Sequence, residues 1–312
     1  MYITVSMQLS LPVFFNWETS RTIVDVRPVD AFRKGHFPGA VSFPLENFAS
    51  PEALLQMLNG RDLPKPFHLL DLDGSIAETE AGYCETGFLQ GGYKAYKTWM
   101  SEAFHSGPRV GIIGGKTGSG KTVLLRELTA MGRQVLDIEA IAQHRGSVFG
   151  GFSSPQPLLE QFEHDLLKAW LSFDSSIPVW MEEKGAVLGK LGIPKNLYRK
   201  MLAAVRFELD PSFESRLHNI QEGYTVTDKR KFLNSIRQLE SRMGFSNNHK
   251  ALHFYAAGEV KNCLRLLLHY YDSAYDYNRT RYNCKLCKAA RPELFREKRA
   301  ILAMEKLIME TA

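Results

Sequence analysis

Hydrophobic positions along this chain change rhythm twice. Through about the first 100 residues they come as short apolar runs set between turn formers. RTIVDVR, Arg21 to Arg27, is β-branched and ends in charge, as a buried strand does. AVSF, Ala40 to Phe43, and FHLLDLD, Phe67 to Asp73, read the same way. Helical pieces separate them: a brief one in PVDAFRKG, then PEALLQML with proline in its first turn, then SIAETEAGYCETG. Strands alternating with helices predict a parallel sheet covered on both faces. KTWMSEAFHSGP, residues 97–108, marks the expected boundary. Beyond it VGIIGG is a strand running straight into a glycine turn, and VLLRELTAMG is a helix closed by Gly132. RQVLDIEAIA adds a strand and turn, and IPVWMEEKG adds a strand, Pro178 to Glu182, that ends in acids. From about Leu197 the pattern becomes helical, with KRKFLNSIRQLESRMGF and EVKNCLRLLLHYY the longest amphipathic stretches. The expectation is an α/β chain of two domains, 1–100 and 101–312, the second carrying a helical, basic C-terminal part.

The turn after VGIIGG carries the strongest chemical signal. Gly115, Lys116, Thr117, Gly118, Ser119, Gly120, Lys121 and Thr122 fit G-x-x-x-x-G-K-[ST], with a strand before and a helix after. Glycines let successive main-chain N–H groups curl around an anion, and the helix N-terminus adds partial positive charge. Lys121 can reach terminal phosphates, and the Thr122 hydroxyl can ligate Mg²⁺. The pattern identifies a cradle for a diphosphate or triphosphate without naming the ligand. An acid at a strand end would complete a Mg²⁺ site. Asp137, Glu182 and Glu183 are the candidates, each with solvated strand-end charge as the alternative reading.

Composition narrows the partners. Lys and Arg total 39 against 34 Asp and Glu, a net charge of +5 with a pI near 8.9. Arg279, Arg281, Lys285, Lys288, Arg291, Arg296, Lys298 and Arg299 crowd the C-terminus among Tyr275, Tyr277 and Tyr282. Basic residues interleaved with aromatics suit RNA; a solvated helix face is the competing reading. Four cysteines in 312 residues are too few for a disulfide scaffold. No run of eighteen apolar residues and no basic N-terminal leader is visible, so a cytoplasmic protein with no membrane partner is expected. Cys284 and Cys287 have C-x-x-C spacing. Cys263 and His269 complete a metal site only if the fold gathers all four; a redox pair or two ordinary thiols are the alternatives.

Several blocks together resemble one family. DVRPVDAFRKGHFPGAVSFPL is similar to the opening of a rhodanese domain, and LQGGYKAYK, Leu89 to Lys97, to its closing segment. The phosphate turn is followed by LDIEAIAQHRGSVFGG, PQPLLEQFEHDL, VWMEEKGAVLGKLGIP and LLLHYYDSAY. This order resembles the tRNA 2-selenouridine synthases, a rhodanese domain fused to a P-loop domain. The resemblance implies action on the wobble 2-thiouridine of tRNA, with geranyl transfer from geranyl diphosphate to sulfur and then exchange for selenium from selenophosphate. It implies that the P-loop holds a prenyl diphosphate, with His144 and Arg145 as second donors to phosphate or tRNA, or else as a pair capping a helix end. Gln156, Phe162 and Glu163 match the family without an assignable role. An NTP-dependent enzyme on another substrate and a non-catalytic tRNA-binding relative are the rival readings.

The chain departs from that family where a rhodanese needs its cysteine. The loop after the central strand reads HLLDLDGSIAETE, with Asp71 or Asp73 at the place of the thiol. A carboxylate cannot carry selenium and repels an anionic donor. Cys84 stands about ten residues further on, on the order of 15 Å along a helix, and reads better as a small buried side chain. The first domain is therefore expected to keep the rhodanese shape without its chemistry, and a separate selenium-carrying partner or thiol to supply that step. The acidic run after the phosphate turn also departs, reading EEKGAVLG.

Overall fold

The computed structural model describes residues 7–9, 22–37, 39–64, 67–71, 86–144, 155–223, 229–281 and 287–311. They form two compact units. The first comprises residues 1–106, 157–171 and 194–196, and the second comprises 107–156, 172–193 and 197–312.

The first unit is built on a five-stranded, all-parallel sheet in the order β1-β5-β4-β2-β3. Its strands are β1 (Met7–Leu9), β2 (Thr22–Asp25), β3 (Val41–Ser42), β4 (Phe67–Leu70) and β5 (Thr86–Leu89). The helices are α1 (Val29–Lys34), α2 (Pro51–Asn59) and α3 (Gly92–Ser106). Ser50 caps α2 by accepting from the Ala53 N–H, with Pro51 at the first helical position. Val24, Val26, Leu54, Leu55, Leu58, Phe67 and Leu69 form the core between β2, β4 and α2. The expected helix SIAETEAGYCETG falls mostly outside the described residues, and its last two, Thr86 and Gly87, begin β5 instead.

Two features of this unit explain motifs seen in the sequence. Asp25 ends β2, and both its oxygens take the Arg27 guanidinium, with Nη2–Oδ2 at 2.6 Å. Arg27 also donates to the Gly35 carbonyl and lies 3.8 Å over the Tyr93 ring. The Asp-Val-Arg run thus locks the turn that follows α1 to the start of α3. Removing either partner of so buried a pair costs roughly 3–5 kcal/mol.

The second feature is a helix the sequence placed in the other domain. α6 (Leu159–Leu171) belongs to the first unit. It presents Phe162, Leu166, Leu167 and Trp170 inward, and the Trp170 indole donates to the Ala103 carbonyl of α3. Lys97 pairs with Glu163 on the same two helices. The division expected at residue 100 falls at 106/107, because KTWMSEAF continues α3 without a break.

The second unit carries a second five-stranded parallel sheet, β12-β11-β6-β8-β7. These strands are β6 (Val110–Gly115), β7 (Val135–Leu136), β8 (Val179–Glu182), β11 (Val205–Leu209) and β12 (Cys287–Ala290). β9 (Val187–Leu188) and β10 (Leu191–Gly192) make a separate antiparallel pair. Helices α4 (Lys121–Ala130), α5 (Ile138–Ile141), α7 (Lys195–Ala203) and α13 (Lys298–Glu310) flank these strands in sequence. Trp180, Phe207, Phe295, Leu124, Leu128 and Ile301 pack the core.

A helical group follows: α8 (Phe213–Gly223), α9 (Lys229–Gln238), α10 (Glu240–Met243), α11 (Phe245–Ala256) and α12 (Val260–Arg281), packed on Leu217, Phe232, Ile236, Leu239, Leu264 and Leu267. The purely helical pattern expected after Leu197 is thus interrupted twice. VRFEL pairs with β6 and with CKAA as central and edge strands. Cys287 lies in β12 and not in a free basic tail, while Cys284 lies outside the described residues. No described helix is long and apolar enough to cross a membrane.

His164 of α6 gives the first unit a pH dependence. It is buried, with Nδ1 at 2.5 Å from the Tyr96 hydroxyl and Nε2 at 3.0 Å from the Tyr93 hydroxyl. Burial, then the nearby positive charge of Lys97 and Arg27, pushes it down to about 3. Unfolded, it titrates near 6.5. Between those values only the unfolded chain takes the proton, so stability falls as pH drops through 6.5 and is complete above it. We expect a loss of about 2 kcal/mol between pH 7.5 and 5.0 in urea denaturation. His164→Gln should remove that share of the pH dependence, and an unchanged dependence contradicts the assignment.

Candidate phosphate site

The phosphate turn sits at the carboxyl end of β6, where the sheet order reverses. From β6 the chain builds β7 and β8 on one side and returns to β11 on the other. Parallel α/β sheets bind ligands at such a point. Gly115, Gly118 and Gly120 have φ of +140°, +81° and +87°. A Cβ on Gly118 would lie 2.6 Å from the Arg216 carbonyl, so neither conformation nor space admits a side chain there. Gly120 is the N-cap of α4 and has no side chain to cap it. The first-turn amides of Lys121, Thr122 and Val123 are therefore left for a ligand.

Lys121 is folded over the turn. Its Nζ donates to the carbonyls of Gly115 at 2.5 Å and Lys116 at 3.1 Å. Burial lowers its pKa, against the pull of Glu182. Glu182 ends β8 in register with Ile113, and its Oε2 accepts from the Thr122 hydroxyl at 2.9 Å. Glu182 Oε1 lies 2.7 Å from Lys184 Nζ, which also reaches Glu139 Oε1 at 2.5 Å. Burial alone would raise the Glu182 carboxyl, and Lys184 and Lys121 outweigh it and hold it below its ordinary range. Burial would likewise lower the Lys184 ammonium, and Glu182 and Glu139 hold it up. The result is an alternating Lys121–Glu182–Lys184–Glu139 chain beneath the turn. A hydroxyl and an ionised carboxylate side by side are hard oxygen donors of the kind Mg²⁺ takes, so Thr122 and Glu182 fit the ion.

The other expected acids stand elsewhere. Asp137 caps α5, accepting from the Ala140 N–H at 3.0 Å. Glu183 turns to Arg206 of β11, 2.6 Å away. Gln156 ties the α5 end to the β9–β10 turn through Ala142, Leu188 and Lys190. His144 follows α5 and its N–H donates to the Glu139 carbonyl; Arg145 lies outside the described residues. In the first unit Asp71 closes β4, buried, with its carbonyl accepting from the Tyr93 N–H. Asp73 and Cys84 lie outside the described residues. Cys263 is sealed in the helical core, where burial pushes its thiol up to about 12. Among the described residues no group of three or more His, Cys, Asp or Glu is placed to hold a metal.

Sequence reading missed a cover over the turn. α12 reaches it with Tyr275, whose oxygen accepts from the Gly115 N–H at 3.0 Å and lies near Glu208 and Glu183. Tyr275 was grouped with the basic, aromatic C-terminus; it is half-buried at the phosphate turn. Arg206 spans the same carboxylates; burial alone would lower its pKa, and Glu183, Tyr275 and Glu208 outweigh it and raise it. Lys116 pairs with Asp276, Arg216 donates to the Thr117 carbonyl and pairs with Asp272, and Asn219 donates to the Gly118 carbonyl. The alternation V-R-F-E-L was the signal available for β11 and for Arg206 and Glu208 on one of its faces.

Comparison with known proteins gives two family models along the chain, the second of which also spans α6. The model of the tRNA 2-selenouridine synthase AAA domain matches residues 108–257, and that of the rhodanese-like domain matches 15–98. A tRNA 2-selenouridine synthase of Hydrogenovibrio crunogenus is 29% identical over 65% of this chain and 64% of its own length, just under two thirds. One from Pseudomonas syringae pv. syringae is 26% identical over 90% of this chain and 93% of its own. One from Shewanella halifaxensis is 33% identical over 46% of this chain.

Lys121→Ala is expected to weaken binding of Mg²⁺–pyrophosphate by about 10–100-fold in calorimetry, the worth of one charge-assisted contact. Gly118→Ala should abolish it. Wild-type affinity in both variants contradicts the cradle.

Proposed function

We propose, for a chain that belongs to the tRNA 2-selenouridine synthase family, that it modifies the wobble uridine of tRNA and holds a prenyl diphosphate, geranyl diphosphate by resemblance, in the phosphate turn. The observation that carries this reading is the turn itself. Its glycine-shaped amide ring, Lys121 and the Thr122–Glu182 pair recognise a diphosphate and require no nucleotide base. The names of the relatives supply the tRNA.

The reaction asks little covalent work of the protein. The 2-thiouridine sulfur attacks C1 of the prenyl chain, the C–O bond to diphosphate breaks with its electron pair leaving on oxygen, and the uracil N3–H proton is released. The amides of residues 121–123 and the Lys121 ammonium stabilise the charge that builds on the departing diphosphate. Thr122 and Glu182 would hold Mg²⁺, which would supply further neutralisation of that charge. α12 reaches the turn beside this site with Tyr275 and Asp276.

Selenation is the step this chain does not equip. Asp71 or Asp73 stands where the thiol is needed, and the buried Cys263 is held protonated. A thiol on a separate selenium-carrying partner supplies it, with selenophosphate as the donor.

The test is mass spectrometry of nucleosides from thiolated tRNA incubated with the protein and geranyl diphosphate. S-geranyl-2-thiouridine is expected, lost with Lys121→Ala, and selenouridine should not form on adding selenophosphate alone. Full activity of Lys121→Ala removes the turn from the mechanism. NTP hydrolysis with no change in the nucleoside favours an NTP-dependent enzyme instead.

A further inference from the structure

We infer that the outward faces of α9 and α11 form a surface that grips RNA at an unpaired base, with Phe245 and His249 as the stacking platform. This rests on the tRNA reading above and locates the partner on the helical group.

Charge is sorted sharply there. From Lys229 to Gly258 the chain has six Lys and Arg and a single acid, Glu240. Over the whole sequence the two signs nearly balance, 39 against 34. The inward sides of both helices are spent on the core: Phe232 and Ile236 from the first, Ala251 from the second, against Leu264 and Leu267 of α12. Asn248 fixes the pair, its side-chain N–H donating to the Ile236 carbonyl at 2.5 Å. Helical spacing then turns the remaining residues outward. Arg230 and Arg237 are seven apart on one exposed stripe of α9. On α11, Phe245, His249 and His253 follow at intervals of four, with Lys250 beside them, all exposed.

Phe245 is the anomaly that points to a ligand. It is 66% exposed at the start of its helix, with its ring centroid 3.9 Å from that of His249. Among the described residues from 229 to 258 no other large apolar side chain is so exposed. One exposed aromatic pair in a segment that also exposes Arg237, Arg242 of the intervening α10 and Lys250 suits a base splayed from its strand, with phosphates on the cations. A lipid surface would need a stripe of apolar residues, and the other exposed residues of this segment include Asn234, Ser241, Ser246 and Asn247.

The face is also tied to the phosphate turn. Its helices share one apolar cluster with α8 and α12. Those two helices carry Arg216, Asn219 and Tyr275 onto the turn, with Asp272 holding Arg216.

The experiment is fluorescence anisotropy of the full chain with a labelled tRNA transcript and with a single-stranded RNA decamer, over a NaCl series. Anionic phosphatidylserine vesicles form a second arm. The double variant Arg242→Glu/Lys250→Glu should weaken tRNA binding at least tenfold and flatten the log–log salt slope by about two. Phe245→Ala should weaken the decamer about five-fold or more, with the salt slope kept. Unchanged Mg²⁺–pyrophosphate binding in both variants shows that they fold. If wild type binds tRNA and both variants match it, the face is wrong while the tRNA reading stands. If wild type binds no tRNA, or binds vesicles in its place, both fall.

Discussion

A glycine-shaped turn leading into a helix N-terminus with no side-chain cap is the constraint around which the second unit is organised. Glycines at 115, 118 and 120 adopt conformations other residues resist, and the helix that follows has no side-chain cap. Such a turn concentrates positive potential at one point and gains from it only when an anion arrives. Lys121 adds to that charge, and burial makes its ammonium costly. Glu182 offsets it from below, Lys184 offsets Glu182, and Glu139 closes the series. Each charge is tolerable in the interior because the next has the opposite sign. The same chain leaves one carboxylate beside the Thr122 hydroxyl, the pairing an ion needs.

The helical group acts on the turn from the other side. Tyr275, Asp276, Arg216 and Asn219 bond main-chain or side-chain groups of residues 115–118, with Asp272 holding Arg216. A ligand entering the turn meets these contacts directly. The first unit shows the converse economy. Its Asp25–Arg27 pair and the Tyr93–His164–Tyr96 contacts hold a rhodanese-like sheet together, and Asp71 follows its strand β4.

Much of this was legible in the sequence where the signal is local. The strand–turn–helix around residues 110–130 follows from glycine spacing, and Glu182 from an apolar run ending in acid. Asp137 looked equally good by that rule, yet its carboxylate caps α5; a strand-end acid does not reveal which way it turns. Tyr275 and Arg206 meet across 69 positions, and no periodicity reports a contact of that range. α6 could not be assigned to the first unit from its order, because its amphipathic stripe shows a buried face and not which core buries it. β11 was hidden by its length: five residues between helices, alternating charged and apolar.

The central claim is that the turn is built for a diphosphate, and a crystal structure with Mg²⁺–pyrophosphate soaked in tests it most directly. The account predicts the anion on the amides of residues 117–122. It also predicts that Lys121 Nζ moves from the Gly115 and Lys116 carbonyls to phosphate oxygens, with Glu182 and Thr122 beside the ion. An empty turn with Lys121 still on those carbonyls, at saturating ligand, would contradict it.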